Sequence, residues 1–400
     1  MKAENLMIVQ GGGPTAVFNA SLSSVIAEGI RQAKIGRVLG ARFGVKGLAQ
    51  GDVVDLTHIT SEELRVLRNS PGAALGSSRF KPTEDDLHRM VGHLQRLDVR
   101  HLVFMGGNGT MRGAEVVSAF CRAVGFEVQI MGIPKTVDND IAVTDRCPGY
   151  ASAARYIAQS TRDLGMDIRS LPQPVTIFET MGRNVGWLAG ASTLARMAEE
   201  DAPHLVYLPE VPFHKERFLT DLDRIVTREG WAVVVASEGI RNENGSLVYE
   251  MSDSSQLDPL KRPMTGGVGQ FLAGVVAESL RIRCRSEKPG LLGRASIAHL
   301  STQDQQDAEL VGREGVRALL GGETDKMVAL RSLEDAGELG YDLVPLSAAA
   351  GIDRPVPAEW LADGPLAVTN AFREYLRPLV GELYRYSPAL PPDLQSTGAF

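Results

Sequence analysis

Short apolar segments that end in glycine, each followed by a segment of helical period, recur along this 400-residue chain. Residues 6–10 and 101–105 are almost wholly apolar, and glycine-rich turns follow them at 11–13 and 106–109. Strands without polar alternation are typical of sheets that are buried on both faces. Because these strands alternate with helices, the pattern predicts parallel, doubly wound sheets.

The same pattern continues past residue 150 and predicts a second set of elements. We predict further strands over 37–42, 127–133, 175–179, 204–208 and 232–237. We predict helices over 15–32, from the second glycine turn to 124, and over 151–164, 185–197, 218–228 and 269–284. The sequence therefore predicts an α/β fold with two domains and an active-site cleft between them.

Charge and composition exclude several classes of protein. With 42 basic and 49 acidic residues, the formal net charge is −7, which gives no footprint for a nucleic-acid partner. No stretch reaches about 18 apolar residues, so we expect no membrane span, and the first ten residues do not resemble a secretory signal. The cysteines Cys121, Cys147 and Cys284 fit neither a disulfide framework nor a zinc spacing. We therefore expect reduced thiols and a cytoplasmic location.

Both glycine turns lie where a strand ends and a helix begins. Glycine lets backbone N–H groups approach a phosphate closely, and the helix dipole favours the anion. Two such turns in one sheet favour a phosphate-binding crevice, although either could be only a tight turn. A dinucleotide pattern fits Gly11, Gly13 and Ala16 loosely, but the next strand ends at Arg42 without the acid that would bind a ribose.

A third loop, over residues 132–140, follows a buried strand and carries the charged side chains Lys135, Asp138 and Asp140. Phosphoryl transfer needs a carboxylate that accepts the proton of the attacking hydroxyl. A second carboxylate for Mg²⁺ and a cation that neutralises the moving group complete the set. The structural alternative is that Asp138 only caps a turn.

These segments resemble the phosphofructokinase family over roughly residues 5–330. The loop at 132–140 reads Gly-Ile-Pro-Lys-Thr-Val-Asp-Asn-Asp and is similar to the most specific signature of that family. Four further segments match in the family's order: 76–79 (Gly-Ser-Ser-Arg), 106–110 (Gly-Gly-Asn-Gly-Thr), 181–183 (Met-Gly-Arg) and 292–294 (Leu-Gly-Arg).

The resemblance implies a role for each matching residue. Asp138 would be the general base, with Asp140, Lys135 and Arg183 as the other catalytic residues. Mg²⁺ would be the cofactor, held by Asp140 and weakly by Asn108. The donor of the phosphoryl group, ATP or pyrophosphate, would be bound by Gly11, Gly12, Arg79, Gly107, Asn108, Gly109 and Thr110. The sugar phosphate would be bound by Thr136, Asp138, Met181, Gly182, Arg183, Glu238, Arg285 and Arg294.

The resemblance also implies two Rossmann-like domains. Residues 1–149 and about 294–345 would bind the donor, 150–293 would bind the sugar phosphate, and 346–400 would form a C-terminal extension with a loose tail. We expect a homodimer or homotetramer, because the family arginine that matches Arg285 often acts from a neighbouring subunit.

Two residues bear on the choice of donor, and they favour different donors. Pyrophosphate users of the family carry an acid where this chain has Gly109, and the open position favours ATP. Lys135 favours pyrophosphate. We expect an ATP-dependent kinase, with a pyrophosphate-dependent enzyme as the alternative.

Four departures from the family pattern weaken expected contacts. Asn108 replaces an acid beside the metal, Pro174 replaces an arginine, Leu291 a histidine or aromatic residue, and Gly293 a glutamine. They favour either a related ketose phosphate in place of fructose 6-phosphate, or a non-catalytic phosphate-binding protein. The alternative is that fructose 6-phosphate still binds through Arg183, Arg285 and Arg294. The intact pair of Asp138 and Asp140 speaks against the non-catalytic alternative.

Overall fold

The computed structural model describes residues 3–171, 175–250, 266–332 and 340–386, and its strands form two sheets. The first sheet has seven strands in the order β11-β10-β5-β4-β1-β2-β3. Its strands are β1 (Glu4–Gln10), β2 (Ile35–Ala41), β3 (Val53–Asp55), β4 (Val99–Gly106), β5 (Gln129–Pro134), β10 (Lys326–Leu330) and β11 (Tyr341–Pro345). Only the edge strands β3 and β11 are antiparallel to their neighbours, so the predicted parallel sheet is confirmed.

The second sheet has four strands in the order β7-β8-β6-β9, and all of its pairs are parallel. Its strands are β6 (Val175–Thr180), β7 (Leu205–Tyr207), β8 (Ala232–Ser237) and β9 (Cys284–Glu287). Every residue of β6 and β8 is buried, as expected for strands that are covered on both faces.

Helices cover both faces of each sheet. They are α1 (Phe18–Arg31), α2 (Val45–Gln50), α3 (Ser61–Arg68), α4 (Glu84–Arg96), α5 (Asn108–Ala123), α6 (Tyr150–Arg169), α7 (Trp187–Ala191), α8 (Lys215–Glu229), α9 (Val268–Leu280), α10 (Leu292–Ala295), α11 (Thr302–Leu320), α12 (Leu346–Ala349) and α13 (Asn370–Val380). On the first sheet, α1 and α11 pack on one face, and α2, α4 and α5 pack on the other. On the second sheet, α8 and α9 oppose α6, α7 and α13. Two doubly wound, Rossmann-like layers are thus confirmed.

The order of the first sheet places its reversal between β1 and β4, which are hydrogen-bonded neighbours with Val9 opposite Phe104. In open parallel sheets, ligands bind where the carboxyl ends of such strands diverge. The glycine turns after β1 and β4 lie at this point.

Two predicted helices differ from the structure. The helix predicted over 269–284 ends at Leu280, because Arg281 adopts a left-handed conformation (φ 59°), and β9 follows. The helix predicted over 185–197 is only α7 with a short 3-10 turn, Ser192–Ala195.

The C-terminal segment packs into the second core. On α13, Phe372 and Leu376 are fully buried in the cluster that contains Trp187 of α7. The part of the predicted extension from 346 to 386 is therefore folded, and the predicted loose tail at 388–400 lies outside the described residues. Within the residues that the structure describes, no helix is long and apolar enough to cross a membrane.

Candidate active site

The two glycine turns of the first sheet are in direct contact. The backbone N–H of Gly11 donates to the carbonyl oxygen of Met105 (2.8 Å). A Cβ on Gly11 would lie 2.5 Å from Oγ1 of Thr110, so only glycine fits here. In contrast, a Cβ on the exposed Gly109 would meet nothing within 4 Å. The donor-binding residues predicted at 11–12 and 107–110 are thus brought together, with open space beside Gly109.

Lys135 follows β5 and extends towards the first glycine turn. Its Nζ donates to the carbonyl oxygen of Gly13 (2.6 Å) and lies 4.6 Å from the ring centroid of Phe18. Only 2% of the residue is exposed. Burial lowers the pKa of Lys135 to about 8, and the charge of Arg294 acts in the same direction, whereas Asp140 and Asp138 oppose it. Near neutral pH, Lys135 is therefore mostly a cation beside the donor turn.

The loop after Lys135 is shaped by Asn139, which has a left-handed backbone (φ 54°) that asparagine tolerates. Its side-chain amide donates to the hydroxyl oxygen of Tyr375 (3.0 Å), and its carbonyl oxygen accepts from the N–H of Cys147 (3.0 Å). Sequence reasoning missed Tyr375, because a tyrosine on a distant helix carries no motif. Both sides of the loop are therefore fixed by buried contacts.

Asp138 does not cap this turn. Its own backbone N–H donates to Oγ1 of Thr136 (3.1 Å), while its carboxylate oxygen Oδ1 is buried without a hydrogen-bond partner among the described residues. The turn is therefore closed by the Thr136 hydroxyl and not by the Asp138 side chain, against the structural alternative considered from the sequence.

Asp353 joins the site from the C-terminal segment and was not predicted. Its two carboxylate oxygens accept hydrogen bonds from the amides of Asn108 (3.0 Å) and Asn184 (2.9 Å). The Asn108 amide also lies 3.2 Å from Oδ2 of Asp140, and the N–H of Arg354 donates to the Asp140 carbonyl oxygen (2.8 Å). A residue far along the sequence thus links a donor-side loop with the loop after β6.

The strand ends of the second sheet supply the predicted acceptor side. Oγ of Ser237 donates to the carbonyl oxygen of Gly182 (2.5 Å), and the N–H of Glu238 donates to that of Thr180 (2.9 Å). A Cβ on Gly239 would lie 1.9 Å from the carbonyl oxygen of Arg183, so this glycine allows the two loops to touch. The side chain of the neighbouring Met181 packs against the core of this domain.

The predicted binding residues Arg294, Arg79 and Arg285 lie in different places. Arg294, on α10, approaches the donor turn: its Nη1 would be 2.7 Å from a Cβ on Gly13. Burial lowers the pKa of Arg294, as does the nearby charge of Arg79, while Asp138 opposes them. Arg285 is exposed on the edge strand β9. Arg294 and Arg79 therefore reach the site, and no described contact brings Arg285 there.

The four departures from the family pattern differ in what surrounds them. Leu291 is 64% exposed, and a Cβ on Gly293 would meet the ring of Tyr156 at 3.6 Å. Pro174 lies outside the described residues.

The carboxylates of the site affect one another's pKa. Burial raises the pKa of Asp138 well above the ordinary aspartate range, and the charges of Asp140 and Glu238 raise it further, against Lys135. Burial likewise raises the pKa of Asp140, with Asp353 acting in the same direction and a hydrogen bond from Thr136 opposing. Since Glu238 directly follows β8 of the second sheet, loops from both sheets contribute charges that act on Asp138.

Three buried oxygens in this unit lack hydrogen-bond partners within the described residues: Oδ1 of Asn108, of Asp138 and of Asp140. Carboxylate and amide oxygens are the ligands that Mg²⁺ prefers, so the site fits that ion. Within the described part of the chain, no group of three or more His, Cys, Asp and Glu side chains is arranged to hold a metal by itself. The ion would therefore depend on phosphate oxygens of a substrate.

Comparisons with known proteins agree with this geometry. The family model named Phosphofructokinase matches residues 5–319. The chain is 36% identical over 386 residues to a pyrophosphate–fructose 6-phosphate 1-phosphotransferase of Xanthomonas campestris, which covers 94% of this chain and 91% of that protein. It is also 36% identical over 325 residues to a sulfofructose kinase of Alkalicoccus urumqiensis, covering 81% and 82% of the two chains.

A solved structure is similar over almost the whole chain. It is a pyrophosphate-dependent phosphofructokinase from Marinobacter aquaeolei, with 31% sequence identity and a TM-score of 0.84. The match covers 97% of this chain and 95% of the other.

Proposed function

This chain belongs to the phosphofructokinase family, and on that basis we propose that it transfers a phosphoryl group from pyrophosphate to a hydroxyl of fructose 6-phosphate. The observation that supports the proposal is the buried Asp138 oxygen Oδ1, which has no hydrogen-bond partner among the described residues and belongs to a carboxylate on which the charges of Glu238 and Lys135 act. A base, a donor-side cation and an acceptor-side carboxylate are the groups that this reaction uses.

Pyrophosphate as the donor is supported by Lys135 and by the relatives. The Lys135 ammonium lies at the first glycine turn, where it would neutralise the charge of a phosphate group. The Xanthomonas and Marinobacter relatives, which are matched over nearly their whole length, are both named as pyrophosphate-dependent. We therefore prefer pyrophosphate to the ATP expected from the sequence.

In the reaction that we propose, Asp138 accepts the proton of the sugar hydroxyl while that oxygen attacks one phosphorus of pyrophosphate. The bond from this phosphorus to the bridging oxygen breaks, and orthophosphate leaves with the bridging oxygen. The raised pKa of Asp138 makes its carboxylate a stronger base than an exposed aspartate. Lys135 and Arg294 stabilise the charge on the moving group, and the backbone N–H groups of the glycine turns orient the phosphates. Arg183 and Glu238 position the sugar phosphate.

Mg²⁺ would be held by Asp140 and by the amide oxygen of Asn108, together with phosphate oxygens. When bound, the ion would neutralise charge on the donor phosphates. Asn108 supplies no charge to it, so we expect weaker metal affinity than an aspartate would give at this position.

ATP is the second candidate donor, and one observation favours it. The space beside Gly109 is open, so no side chain at this position fills the region next to the donor phosphates. An aspartate at position 109 would fill this space and repel the phosphate groups of ATP.

The acceptor pocket carries fewer polar groups than the family pattern has. Pro174, Leu291 and Gly293 lack the polar groups expected in an acceptor pocket, and a relative named sulfofructose kinase matches as well as the pyrophosphate users do in sequence identity. We also propose a homodimer or homotetramer, because the exposed Arg285 would reach an acceptor only from a neighbouring subunit.

Activity assays that combine each donor with each acceptor test the proposed function. Pyrophosphate and ATP, each with Mg²⁺, are combined with fructose 6-phosphate, sedoheptulose 7-phosphate and sulfofructose, and product formation is measured. We expect turnover with pyrophosphate and fructose 6-phosphate. Gly109→Asp should leave turnover with pyrophosphate largely unchanged and lower any turnover with ATP, while Gly109→Ala serves as the small control.

If only ATP supports turnover, ATP and not pyrophosphate is the donor, and the assignments of the fold and of Asp138 as the base are unaffected. Absence of transfer to every acceptor, with measurable binding of pyrophosphate, would instead favour the non-catalytic alternative.

A further inference from the structure

Asp353 brings a carboxylate from the C-terminal segment to the position where the sequence lacks one. The family pattern has an acid at position 108, beside the metal, and this chain has the neutral Asn108. In the structure, Oδ1 of Asp353 accepts a hydrogen bond from Nδ2 of Asn108 (3.0 Å). The negative charge that is missing at position 108 is therefore present beside it, on a residue 245 positions later in the chain.

The backbone of this segment is fixed against the loop that follows β5. Asp353 pairs with Ile141 in an antiparallel bridge, and the N–H of Arg354 donates to the carbonyl oxygen of Asp140 (2.8 Å). On the other side, the carbonyl oxygen of Arg354 accepts from Nε1 of Trp187 (3.0 Å), which is fully buried in the second core. The position of Asp353 is thus set by contacts with both domains.

Three oxygens converge on the side-chain nitrogen of Asn108. They are Oδ1 of Asp353 (3.0 Å), Oδ2 of Asp140 (3.2 Å) and the carbonyl oxygen of Asp140 (3.1 Å). An amide has only two N–H groups, so it cannot donate fully to all three. Adjacent ligands of an octahedral Mg²⁺ are also about 3 Å apart, because each bond is about 2.1 Å long. The spacing around this nitrogen is therefore that of a ligand set.

The oxygen of the same amide is available for this set. Oδ1 of Asn108 is buried and has no hydrogen-bond partner among the described residues. Half a turn about the Cβ–Cγ bond exchanges Nδ2 with Oδ1, because the two atoms are related by that rotation. After this exchange, Asn108 presents an oxygen to the carboxylates of Asp140 and Asp353, an arrangement that a cation between them would stabilise.

Neutral amides hold the Asp353 carboxylate. Its second oxygen accepts from the amide of Asn184 (2.9 Å), which orients the group without neutralising it. Burial raises the pKa of Asp138 and of Asp140, and the charge of Asp353 acts in the same direction on both. The three carboxylates thus repel one another, and a divalent cation would relieve this repulsion.

We propose that Asp353 is a ligand of the Mg²⁺ that accompanies the phosphoryl donor, together with Asp140 and in place of the acid missing at position 108. The inference rests on the proposed function, because phosphate oxygens of the donor would complete the ligand set. One or two carboxylates with substrate phosphates are the usual ligands of Mg²⁺ at such sites, and two aspartates meet this requirement.

Binding of methylenediphosphonate, a pyrophosphate analogue with a bridging carbon, tests the inference without turnover. Calorimetry on the full chain gives its Kd with and without Mg²⁺. With Mg²⁺, Asp353→Asn should bind the analogue about tenfold more weakly than the wild type, because a charged ligand is lost. Without Mg²⁺, it should bind at least as tightly as the wild type, because a negative charge beside the anion is removed. A variant that only loosened the loops would bind more weakly in both conditions.

Returning the charge to position 108 is the matched rescue. Asn108→Asp/Asp353→Asn should restore most of the effect of Mg²⁺ on the Kd, since one carboxylate replaces another beside it. Asp363→Asn removes one negative charge from an exposed position outside the site and should behave as the wild type in both conditions. If Asp353→Asn does not fold, Asn108→Asp alone replaces it: the added carboxylate should strengthen the effect of Mg²⁺ and weaken binding without the ion.

The inference is overturned if Asp353→Asn loses affinity equally with and without Mg²⁺, or if the effect of Mg²⁺ is unchanged in the variant that folds. If the wild type binds β,γ-imido-ATP and not the diphosphonate, the same variants are compared with that analogue, so the choice of donor does not decide the result. Binding of neither analogue would overturn the proposed donor site and this inference with it.

Discussion

The donor side and the acceptor side of the cleft are both made of loops at the ends of parallel strands, but they are fixed to different degrees. On the donor side, three adjacent strands of one sheet bring their loops into contact, and Lys135 and Gly11 are almost enclosed. On the acceptor side, the contact of Gly239 with Arg183 is equally tight, but Arg285 lies on an exposed edge strand. In the proposed reaction, the groups that hold the donor are therefore firmly placed, whereas part of the contact with the sugar phosphate depends on the exposed Arg285.

The largest expected effect comes from Asp138, the proposed base. Asp138→Asn should lower turnover by about a thousandfold, within the range for loss of a general base, as measured by steady-state kinetics. It should also raise the melting temperature at pH 8. Because the folded state raises the pKa of Asp138, charging this group destabilises the fold as the pH rises above the unfolded value of about 3.9.

The gain in melting temperature should therefore be smaller at pH 5 than at pH 8, because the cost of keeping Asp138 protonated in the fold, while it is ionised in the unfolded chain, grows as the pH rises from about 3.9 to about 8. Turnover close to that of the wild type would show that another group is the base.

The second prediction compares two arginines of the acceptor side: Arg183, whose loop is tightly packed, and Arg285, which lies on an exposed edge strand. Arg183→Gln should raise KM for the sugar phosphate by about tenfold or more and leave KM for the donor unchanged, since one charged contact to a phosphate is lost. Arg285→Gln should do so only in an oligomer, which light scattering can establish for the same sample. A change in donor KM alone in Arg183→Gln would contradict the division into two sides.

One glycine-to-alanine substitution on each side of the cleft tests how closely the backbone is packed there. Gly239→Ala should destabilise the fold by about 1–3 kcal/mol, because its Cβ would clash with the backbone of Arg183. Gly109→Ala, which meets open space, is the matched control and should change the free energy of unfolding little. Urea denaturation measures both, and equal losses would mean that the close approach at Gly239 does not matter.

The smallest effect concerns the link between the two sides. Asp353→Asn removes a carboxylate that accepts from Asn108 and Asn184 and whose charge raises the pKa of Asp140. We expect turnover to fall by about tenfold, through looser placement of both loops, and the Mg²⁺ concentration for half-maximal rate to change. Asp363→Asn, at an exposed position outside the site, is the control.

Much of this architecture could be predicted from local patterns. Apolar runs that end in glycine located the strands, and because parallel strands end on one edge, they also predicted that the loops of Gly11, Thr110 and Asp138 would meet. The strands β10 and β11, by contrast, were missed, although they extend the first sheet beside β5.

What could not be predicted depends on tertiary contacts. Asp353 and Tyr375 act on the site only because the chain returns to it, and neither stands in a recognisable motif. The end of α9 was misjudged because Arg281, not a glycine, adopts the left-handed conformation. Gly109 and Lys135 were both identified, but their opposite implications for the donor could not be weighed without relatives.

The return of the chain to β5 affects how the enzyme is made on the ribosome. The strands β10 and β11 complete the first sheet only after the whole second sheet has been synthesised, and Asp353 and Tyr375 follow later still. A nascent chain that carries every glycine turn and both aspartates of the loop after β5 thus still lacks the contacts of Asp353 and Tyr375. Since domains tend to fold as they emerge, catalytic competence should be acquired in the last steps of translation.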